Sequence, residues 1–561
     1  MQADFWNNKR PLGIANEIDP NAYNSLLDVF SRACRQFESR PAVSNMGVTL
    51  TFGELDRLAA AFAAYLQRHT HLEPGDRIAI QMPNLLQYPI AIFGALRAGL
   101  IVVNTNPLYT AREMRHQFKD SGARALVYLD MFGDRVEEVL GDTQIEFLIE
   151  ATVGDLLPNW KGWLTNTVLK HGKKIVPTYH LPQAVGFKSV LAQTQGLTPV
   201  PLKVSLDDIA IIQYTGGTTG VAKGAMLTHR NLVANILQMS AWLKQEGDDG
   251  KTVMSEGQEV VISPLPLYHI YAFTAGMCMM VNGQHSILIT NPRDVRGLIK
   301  EMSKWRFTLF LGLNTLFVAL LNDTKFKGLN FSHLKITYSA GSALVMDTAL
   351  LWKSATGCPV IEGYGLTETA PVASLNLYGK GSRLGSVGLP MPSTTFKIID
   401  DNGVEQPLGS RGELCIKGPQ VMLGYWQRQE ATDEVLDSEG WLKSGDIAVI
   451  DIEGFVHIVD RKKDMIIVSG FNVYPNEIEA VVMSHPKVAN CAVVGISDHT
   501  SGEAVKLFAV PSDDSLTVEE LKTFCRANFT GYKIPKHIVI RDSLPLTSVG
   551  KVLRRELRDL A

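Results

Sequence analysis

Strand-like and helix-like patterns alternate along the first part of the chain, and this alternation constrains the fold more than any other feature. Thr51 and Glu54 form a capping box ahead of apolar residues that recur at helical spacing. A short strand pattern covers residues 76–83, a helix pattern follows around 90–96, and another strand pattern covers 123–130. Strands that alternate with helices favour stacked α/β layers with largely parallel sheets.

Two later parts of the chain carry different patterns. Short strand patterns separated by DDNG, LGSRG and DIEG run through residues 398–458, which indicates a small antiparallel barrel or sheet. The pattern changes again after DRKKD, and the remaining chain fits a compact α+β unit whose clearest helix begins at Thr517, with Glu520 completing a second capping box. We therefore expect an α/β protein with a large N-terminal domain, residues 1–462, built from two α/β layered subdomains and a small β-barrel, and a small α+β C-terminal domain, residues 463–561.

Size and composition exclude several classes of protein. A chain of 561 residues is too long for one hydrophobic core, and a net charge of −3 lacks the basic excess of a nucleic-acid-binding protein. Six scattered cysteines without a C-x-x-C pair indicate reduced thiols rather than disulfides or a zinc site. The N-terminus has no secretory signal pattern, and no apolar run approaches the length of about 18 residues that a membrane span needs. We expect a cytoplasmic protein.

The stretch YTGGTTGVAKG, residues 214–224, contains the ingredients of a phosphate-binding loop. It is not a Walker A loop, because Lys223 follows alanine and precedes glycine. Its glycines permit close backbone approach to a ligand, while its hydroxyls and its lysine can donate to an anion. We interpret it as a phosphate site rather than a solvated turn, with the candidate residues Thr215, Gly216, Gly217, Thr218, Thr219, Gly220 and Lys223.

The stretch EGYGLTET, residues 362–369, adds groups that suit a nucleotide. It ends in the adjacent hydroxyl and carboxylate of Thr367 and Glu368. A carboxylate beside a phosphate site suggests Mg²⁺, which prefers oxygen ligands and bridges phosphates. The ring of Tyr364 can stack on a base.

Three further residues extend the candidate nucleotide site. Asp446 in SGDI can accept hydrogen bonds from ribose hydroxyls, and Arg461 in DRKKD can contact ribose or phosphate. Lys551 follows a glycine close to the C-terminus. Each pattern alone is also typical of a turn or a solvated surface, so the interpretation depends on the whole set.

In this order, the motifs resemble those of the adenylate-forming superfamily, which includes acyl-CoA synthetases, luciferases and peptide-synthetase adenylation domains. YTGGTTGVAKG is similar to the phosphate loop of that superfamily, and EGYGLTE to its adenine and Mg²⁺ motif. GWLKSGDIAVIDIEGFVHIVDRKKDMI resembles the fatty-acyl-CoA synthetase signature, and GFNVYPNEIE and the terminal VGK complete the set. The resemblance covers nearly the whole chain and implies a bacterial long-chain fatty-acid–CoA ligase.

The resemblance implies a role for each motif. The loop from Thr215 to Lys223 would hold the β- and γ-phosphates, Glu368 and Thr215 would hold Mg²⁺, and His269 in PLYHIYAF would lie beside the acyl carboxylate. Lys463 would be the hinge of a mobile C-terminal domain. The implied catalytic residues are Lys551, Thr367, Glu368 and His269. The implied ATP- and AMP-binding residues are Thr215, Gly216, Gly217, Thr218, Thr219, Gly220, Lys223, Gly341, Ser342, Ala343, Glu362, Gly363, Tyr364, Gly365, Thr367, Asp446, Arg461 and Lys551.

The implied reaction has two halves. The carboxylate of a fatty acid attacks ATP and forms acyl-AMP with release of pyrophosphate, after which the thiol of coenzyme A displaces AMP. ATP, a long-chain fatty acid and coenzyme A are the expected small-molecule partners, and the resemblance also suggests a homodimer. The chain departs from the superfamily pattern in four places: Ala340 and Ser342 replace glycines, Leu546 replaces a lysine and Ser444 replaces a threonine.

Other functions stay open at this point. The stretch after His269, IYAFTAGMCMMV, is apolar and favours an alkyl chain over an amino acid, whose ammonium would need a charged partner. The same methionines also fit ordinary core packing. A medium-chain or aryl acid ligase is the enzyme alternative. An ATPase and a non-catalytic nucleotide-binding protein are alternatives from other classes.

One segment stands apart from these motifs. In residues 159–177, Trp160, Trp163, Leu164 and Val168 fall on one helical face, and four lysines decorate the rest. A helix of this kind can lie on an anionic membrane surface, which would place the protein at the inner face of the cell membrane. It can also be an ordinary surface helix whose apolar face packs on the core, and we favour that interpretation.

Overall fold

The computed structural model describes residues 4–215, 222–247, 250, 252–469, 471–547 and 551–560. The first part of the chain forms α1 (Asp4–Asn7), α2 (Leu26–Gln36), β1 (Pro41–Asn45), β2 (Val48–Thr51), α3 (Phe52–His69), β3 (Arg77–Gln81), α4 (Gln87–Arg97), β4 (Ile101–Asn104), α5 (Ala111–Ser121), β5 (Ala123–Leu129), α6 (Gly133–Leu140), β6 (Phe147–Ala151), α7 (Asn159–Thr167), β7 (Val185–Gly186) and α8 (Phe187–Gln193).

The middle of the chain continues the alternation of strands and helices. It forms β8 (Ile209–Thr215), β9 (Lys223–Thr228), α9 (His229–Trp242), β10 (Val260–Ser263), α10 (Ile270–Val281), β11 (His285–Leu288), α11 (Val295–Met302), β12 (Leu309–Gly312), α12 (Asn314–Leu321), α13 (Thr324–Lys327), β13 (Ile336–Ser339), α14 (Met346–Thr356), β14 (Val360–Gly365), β15 (Val372–Leu375) and β16 (Leu389–Pro390).

The last part of the chain is richer in antiparallel strands. It forms β17 (Thr395–Ile399), β18 (Arg411–Lys417), β19 (Gly424–Tyr425), α15 (Gln429–Val435), β20 (Leu442–Ile450), β21 (Val456–Arg461), β22 (Ile466–Val468), β23 (Phe471–Val473), α16 (Pro475–Val482), β24 (Val488–Asp498), β25 (Gly502–Pro511), α17 (Val518–Asn528), β26 (His537–Ile540) and α18 (Arg554–Asp559).

Two large, mostly parallel sheets form the body of the protein, which confirms the α/β class. Within the described residues, one sheet has the order β16-β15-β14-β13-β12-β10-β11-β1-β2 and the other the order β19-β9-β8-β4-β3-β5-β6-β7. Their central strands are buried and pair in parallel, as strands joined by helical crossovers do. Apolar side chains of both sheets and of the helices around them belong to one continuous core.

The capping signals in the sequence mark real helix starts. The Thr51 hydroxyl accepts from the backbone N–H of Glu54, whose carboxylate accepts in return from the N–H of Thr51, so the predicted box starts α3. At α17 only one half of the predicted box forms. Thr517 accepts from the N–H of Glu520, but the Glu520 carboxylate pairs with Lys487 instead. Lys487 is distant in sequence, so the local pattern could not reveal this competing partner.

The predicted barrel or sheet of residues 398–458 is a four-stranded antiparallel sheet with the order β17-β18-β20-β21. Its inner face contributes Phe396, Leu414 and Ile416 to the main core, which attaches it firmly to the body of the large domain. The last strand, β21, ends at Arg461 and is followed by a 3-10 turn, Lys462–Asp464.

A small C-terminal domain follows this turn. Strands β22 to β26 form a sheet of their own, and α16 and α17 bury their apolar sides against it. Its core is separate from that of the large domain, since Val473, Ile478 and Leu507 are buried among residues of the small domain only. A large N-terminal and a small C-terminal domain, as predicted, are therefore both present.

The helix α7 contradicts the expectation that its apolar face packs on the core. Trp160 and Trp163 are 71% and 69% exposed, and Leu164 and Val168 are also exposed. The residues that face the protein are instead Gly162, through its backbone, and Asn166. The sequence pattern correctly predicts a helix here, but it does not show which face of an amphipathic helix meets the protein.

Candidate active site

A cleft of about 2300 Å³ lies between the large and the small domain and is lined by residues of both. The carboxyl ends of β13 and β14, which are neighbours in one sheet, reach it, and so does the carboxyl end of β8, which belongs to the other sheet. This arrangement brings together residues that are more than three hundred positions apart in sequence, from Thr215 to Lys551.

The two ends of the glycine- and threonine-rich loop lie at the cleft. Thr215, the last residue of β8, pairs across the antiparallel ladder with Lys223, the first residue of β9. The Thr215 hydroxyl lies 3.5 Å from the carbonyl oxygen of Lys223. Both side chains line the cleft, as predicted. The predicted loop residues Gly216, Gly217, Thr218, Thr219 and Gly220 lie outside the described residues.

Strands β13 and β14 and the loops after them supply one wall. The predicted residues Gly341, Ser342, Ala343, Glu362, Gly363, Tyr364 and Gly365 all line the cleft. Gly341 has φ +85°, a conformation that favours glycine, and a Cβ there would meet open space. The hydroxyls of Ser339 and Ser342 have no hydrogen-bond partner among the described residues, so both are available to a ligand.

Glu362 is a buried carboxyl group in this wall. Its Oε1 accepts a hydrogen bond of 3.1 Å from the backbone N–H of Leu344. Burial raises the pKa of Glu362 to about 7, because the desolvated carboxylate is disfavoured more than the hydrogen bond can offset. At neutral pH a substantial fraction of this group is protonated and can donate as well as accept.

Asp446, Arg461 and Tyr364 form one connected group. The Tyr364 hydroxyl donates to Asp446 Oδ2 at 2.5 Å, and the Arg461 Nε lies 2.7 Å from Asp446 Oδ1. Asp446 and Arg461 are cross-strand neighbours on β20 and β21, which fixes their approach. Burial raises the pKa of Asp446, and Arg461 opposes that effect. The pair expected to contact ribose is thus held in place by its own contacts.

Glu368 is held by a tyrosine that sequence reasoning missed. Thr367 and Glu368 lie in a 3-10 turn after β14. The Tyr425 hydroxyl donates to Glu368 Oε1 at 2.7 Å, and the Lys223 ammonium lies 5.1 Å from the centre of the Tyr425 ring. Tyr425 therefore connects the candidate Mg²⁺ ligand to the candidate phosphate-binding lysine. The only sequence signal was a GYW triplet of no recognised chemistry.

His269 caps the apolar helix α10. Its Nδ1 accepts a 3.3 Å hydrogen bond from the backbone N–H of Tyr271. Burial, with the nearby charge of Lys551, lowers the pKa of His269 to about 4, so the imidazole is neutral at pH 7. A neutral ring beside the cleft can accept or donate one hydrogen bond but does not attract a carboxylate by charge.

A series of buried polar side chains, linked by hydrogen bonds, positions the loop that carries His269. Tyr88 donates to Asn104 at 2.7 Å, Asn104 donates to Gln213 at 2.9 Å, and Gln213 donates to the carbonyl oxygen of Tyr268 at 3.1 Å. Sequence analysis missed all of these residues. They come from different strands and helices, and no local motif marks them.

Lys551 enters the cleft from the small domain. Its side chain is exposed, and among the described residues its ammonium has no hydrogen-bond or ion-pair partner. Solvent reaches the side chain from the cleft, but the cleft walls desolvate its ammonium. This desolvation and the positive charge of Arg461 lower the pKa of Lys551 to about 8, although Asp446 and Glu368 act in the opposite direction. Lys551 lines the same cleft as Asp446, Arg461 and Glu368, and their charges act on its ammonium.

The cleft continues into an apolar section. Tyr271, Ala275 and Met279 line it from successive turns of α10, and Met239 and Val318 line it from α9 and α12. These residues give the section no charged group. It fits an alkyl chain far better than it fits an ammonium group.

The residues present fit a magnesium ion bound together with a nucleotide. No cluster of three metal-ligating side chains occurs in the described part of the chain, so a metal held by protein ligands alone is not supported there. Mg²⁺ typically takes one or two carboxylates and completes its shell with phosphate oxygens and water. Glu368, with one carboxylate oxygen fixed by Tyr425, suits that role.

The two-domain fold and the charged cleft define an enzyme that can bind a nucleotide beside an apolar substrate. Comparison with known proteins gives the family. Residues 30–426 match the model of the AMP-binding enzyme family, and residues 477–551 match that of the AMP-binding enzyme C-terminal domain. The chain belongs to the AMP-binding enzyme family.

Individual relatives cover nearly the whole chain. A long-chain-fatty-acid–CoA ligase of Escherichia coli O6:H1 is 52% identical over 557 residues, which is 99% of this chain and 98% of that protein. A protein of the same description from Haemophilus influenzae is 49% identical over 99% of this chain and 98% of its own length. The crystal structure of the anthranilate CoA ligase AuaEII with anthranoyl-AMP superposes with a TM-score of 0.85, at 22% identity over 97% of this chain and 99% of that one, which supports the fold alone.

No helix in the described residues is both long enough and apolar enough to span a bilayer.

Proposed function

We propose that this protein is an ATP-dependent long-chain fatty-acid–CoA ligase. The observation that carries the proposal is the convergence, in one cleft, of a candidate metal carboxylate, a lone lysine from the small domain and an apolar section beside them. Relatives about half identical over their full length carry that description, which supports the substrate class.

In the first half-reaction, one carboxylate oxygen of the fatty acid forms a bond to the α-phosphorus of ATP. The bond between that phosphorus and the bridging oxygen breaks, and its electron pair leaves with pyrophosphate. Negative charge grows on the α-phosphate and on the leaving group, so preorganised positive groups lower the barrier. We assign this role to Lys551 and to Lys223 at the base of the phosphate loop.

The wall residues hold the nucleotide during this step. Asp446 and Arg461 take the ribose, and the loops around Gly341 and Gly363 receive the adenine, with the hydroxyls of Ser339 and Ser342 as available donors or acceptors. Thr367 contacts the α-phosphate. Glu368 and Thr215 would hold Mg²⁺, which would supply Lewis-acid neutralisation of phosphate charge.

In the second half-reaction, the sulfur of coenzyme A bonds to the acyl carbon of the adenylate. The bond from that carbon to the phosphate oxygen breaks, AMP departs, and the thiol proton passes to solvent. No covalent intermediate with the protein is needed. Neutral His269, which lines the cleft, would lie close to the acyl end without adding charge to it.

The two halves make conflicting demands on Lys551, which only the first half-reaction needs. We propose that the boundary lies at Lys463, between a large domain of residues 1–462 and a small domain of residues 463–561, and that rotation there withdraws Lys551. The 3-10 turn Lys462–Asp464 between two separate cores supports a hinge at this position.

Exchange of labelled pyrophosphate into ATP tests the proposal. We expect exchange that depends on added acid and rises with chain length into the long-chain range. Exchange strongest with aryl or medium-chain acids would favour the alternative ligase. Formation of ADP would favour an ATPase, and the absence of any acid-dependent exchange would favour a non-catalytic nucleotide-binding protein.

Two further partner hypotheses accompany this function. A homodimer, which the resemblance implies, is tested by analytical ultracentrifugation across a range of concentrations. Contact with the inner face of the cell membrane through residues 159–177 is the second hypothesis.

A further inference from the structure

The helix α7 packs against the protein through its small and polar residues. A Cβ on Gly162 would lie 2.4 Å from the carbonyl oxygen of Gly154, so the helix backbone packs directly against the preceding loop. Asn166 accepts from the backbone N–H of Gly154 and donates to the Thr152 hydroxyl, both at 2.9 Å. This side of the helix therefore faces the protein and not the solvent.

The opposite side carries large apolar residues into solvent. We call the set Trp160, Trp163, Leu164, Val168 and Ile175 the tryptophan face. Its members are 71%, 69%, 47%, 41% and 41% exposed, respectively. Surface helices normally bury their large apolar residues and expose small or polar ones, and this helix does the reverse. A set of large exposed apolar side chains on one short segment marks an interaction surface.

The tryptophan face lies in a segment without negative charge. Residues 156–206 contain no aspartate or glutamate, although the whole chain has 57 acidic residues and a net charge of −3. The same segment contains the six lysines Lys161, Lys170, Lys173, Lys174, Lys188 and Lys203. Lys170, Lys173 and Lys174 directly follow α7 and are exposed. The charge around the face is thus complementary to an anionic partner.

The face is held in a fixed place. Lys161 donates to the carbonyl oxygen of Met46 at 2.7 Å, and Lys188 donates to the side chain of Asn159 at 2.9 Å. After the helix, a π-helical turn from Val168 to Gly172 and a 3.0 Å hydrogen bond from the Ile175 N–H to the Leu169 carbonyl keep the chain compact. The tryptophan face and the lysines that follow it therefore lie together on an ordered part of the protein surface.

We propose that the tryptophan face and the lysines that follow it bind the surface of an anionic lipid bilayer. Tryptophan prefers the boundary between acyl chains and headgroups, where its ring is apolar and its N–H is solvated. Lysines beside it attract anionic headgroups, and this pairing distinguishes a lipid surface from a purely apolar protein groove. The inference does not depend on the proposed reaction, because none of these residues lines the cleft.

Cosedimentation of the full-length protein with vesicles tests this proposal. The probes are vesicles of phosphatidylcholine alone and of phosphatidylcholine mixed with phosphatidylglycerol. We expect binding to the mixed vesicles that weakens as salt is raised, accompanied by a blue shift of tryptophan fluorescence. We expect the double variant Trp160→Ser, Trp163→Ser to lose at least about tenfold in partition coefficient.

Matched variants separate the patch from general surface effects. Val404→Ser with Ile452→Ser removes two apolar side chains of similar exposure, 57% and 79%, from turns elsewhere, and we expect it to leave partitioning unchanged. Replacing Lys170, Lys173 and Lys174 with glutamine should weaken binding to the mixed vesicles by about a hundredfold, at ~1 kcal/mol for each lysine. The same change at exposed Lys325, Lys327 and Lys353 should have little effect.

Three results would overturn the proposal. One is that the wild-type protein stays in the supernatant with mixed vesicles at low salt. Another is equal partitioning of the tryptophan variant and the wild type into the vesicles. Thermal unfolding, and acyl-CoA formation from an acid dispersed in detergent, would show in that case that both proteins are folded. The third is conversion of a dimer into a monomer by the tryptophan variant without a change in lipid binding, which would assign the face to a second copy of the chain.

Discussion

The two sides of the cleft are built differently. On the large-domain side two carboxylates are fixed by neighbours: Asp446 by Arg461 and Tyr364, and Glu368 by Tyr425. On the small-domain side a single exposed lysine, Lys551, approaches without an ionic or hydrogen-bonded partner in the described residues. The large domain therefore offers a preorganised binding wall, while the small domain supplies Lys551, whose charge can approach the wall and leave it.

Removing the delivered charge should have the largest effect. We expect Lys551→Ala to slow acyl-AMP formation by about 10²–10³-fold, the usual loss for one preorganised charge or donor at a transition state. Formation of acyl-CoA from supplied acyl-AMP should persist. Single-turnover assays of the two half-reactions make the measurement, and Lys522→Ala on α17, outside the cleft, is the control. Adenylation that survives nearly intact would remove Lys551 from the mechanism.

Restricting the hinge should impair thioester formation more than adenylation, which is the opposite of the effect expected for Lys551→Ala. Proline at Lys463 limits the backbone change that rotation needs, so we expect Lys463→Pro to reduce thioester formation by about a hundredfold, a loss typical of misplaced reacting groups, and adenylation much less. Rapid-quench assays with ATP and with isolated acyl-AMP distinguish the two steps. Equal losses in both would contradict a hinge at this residue.

The pH dependence of kcat/KM for adenylation should reflect the ionisation of Lys551. Lys551 contributes while it is protonated, and its lowered pKa of about 8 means that the charge is lost as pH rises through that value. We expect kcat/KM for adenylation to fall by about tenfold per pH unit above pH 8, since kcat/KM reports the free enzyme. Lys551→Arg stays charged and should lack this decline. An alkaline limb unchanged in the arginine variant would assign it to another group.

A smaller effect is expected on the preorganised side. Tyr425→Phe removes the hydroxyl that orients Glu368, and a lost hydrogen bond to a carboxylate should raise the Mg²⁺ concentration for half-saturation by about fivefold to tenfold. Calorimetric titration of ATP binding at several Mg²⁺ concentrations provides a second readout. Tyr532→Phe, on the small domain, is the control. An unchanged Mg²⁺ dependence would show that Tyr425 does not position Glu368.

The sequence predicted the architecture well because it depends on local signals. Capping residues, such as Thr51 with Glu54, and apolar periodicity are short-range, and the parallel sheets follow from their alternation. The motif residues that line the cleft were also identifiable, from Thr215 to Lys551, because their chemical types stand together in short stretches.

Long-range partners were not identifiable in this way. Tyr425 reaches Glu368 only because β19 pairs with β9 beside the phosphate loop, and the chain from Asn104 through Gln213 to Tyr268 joins separate elements. The orientation of α7 was predicted wrongly for a related reason. Periodicity shows that Trp160 and Trp163 share a face, but the packing of a glycine decides which face is buried.

The central claim is that the carboxylate of a fatty acid attacks the α-phosphorus of ATP, and the most direct test follows one carboxylate oxygen into the products. A long-chain fatty acid labelled with ¹⁸O in its carboxylate is incubated with the protein, ATP, Mg²⁺ and coenzyme A, and the nucleotide products are analysed by mass spectrometry. Attack of the carboxylate on the α-phosphorus predicts that one labelled oxygen appears in AMP and none in pyrophosphate. Label in inorganic phosphate, together with ADP, would show that the γ-phosphate is transferred and would contradict the account.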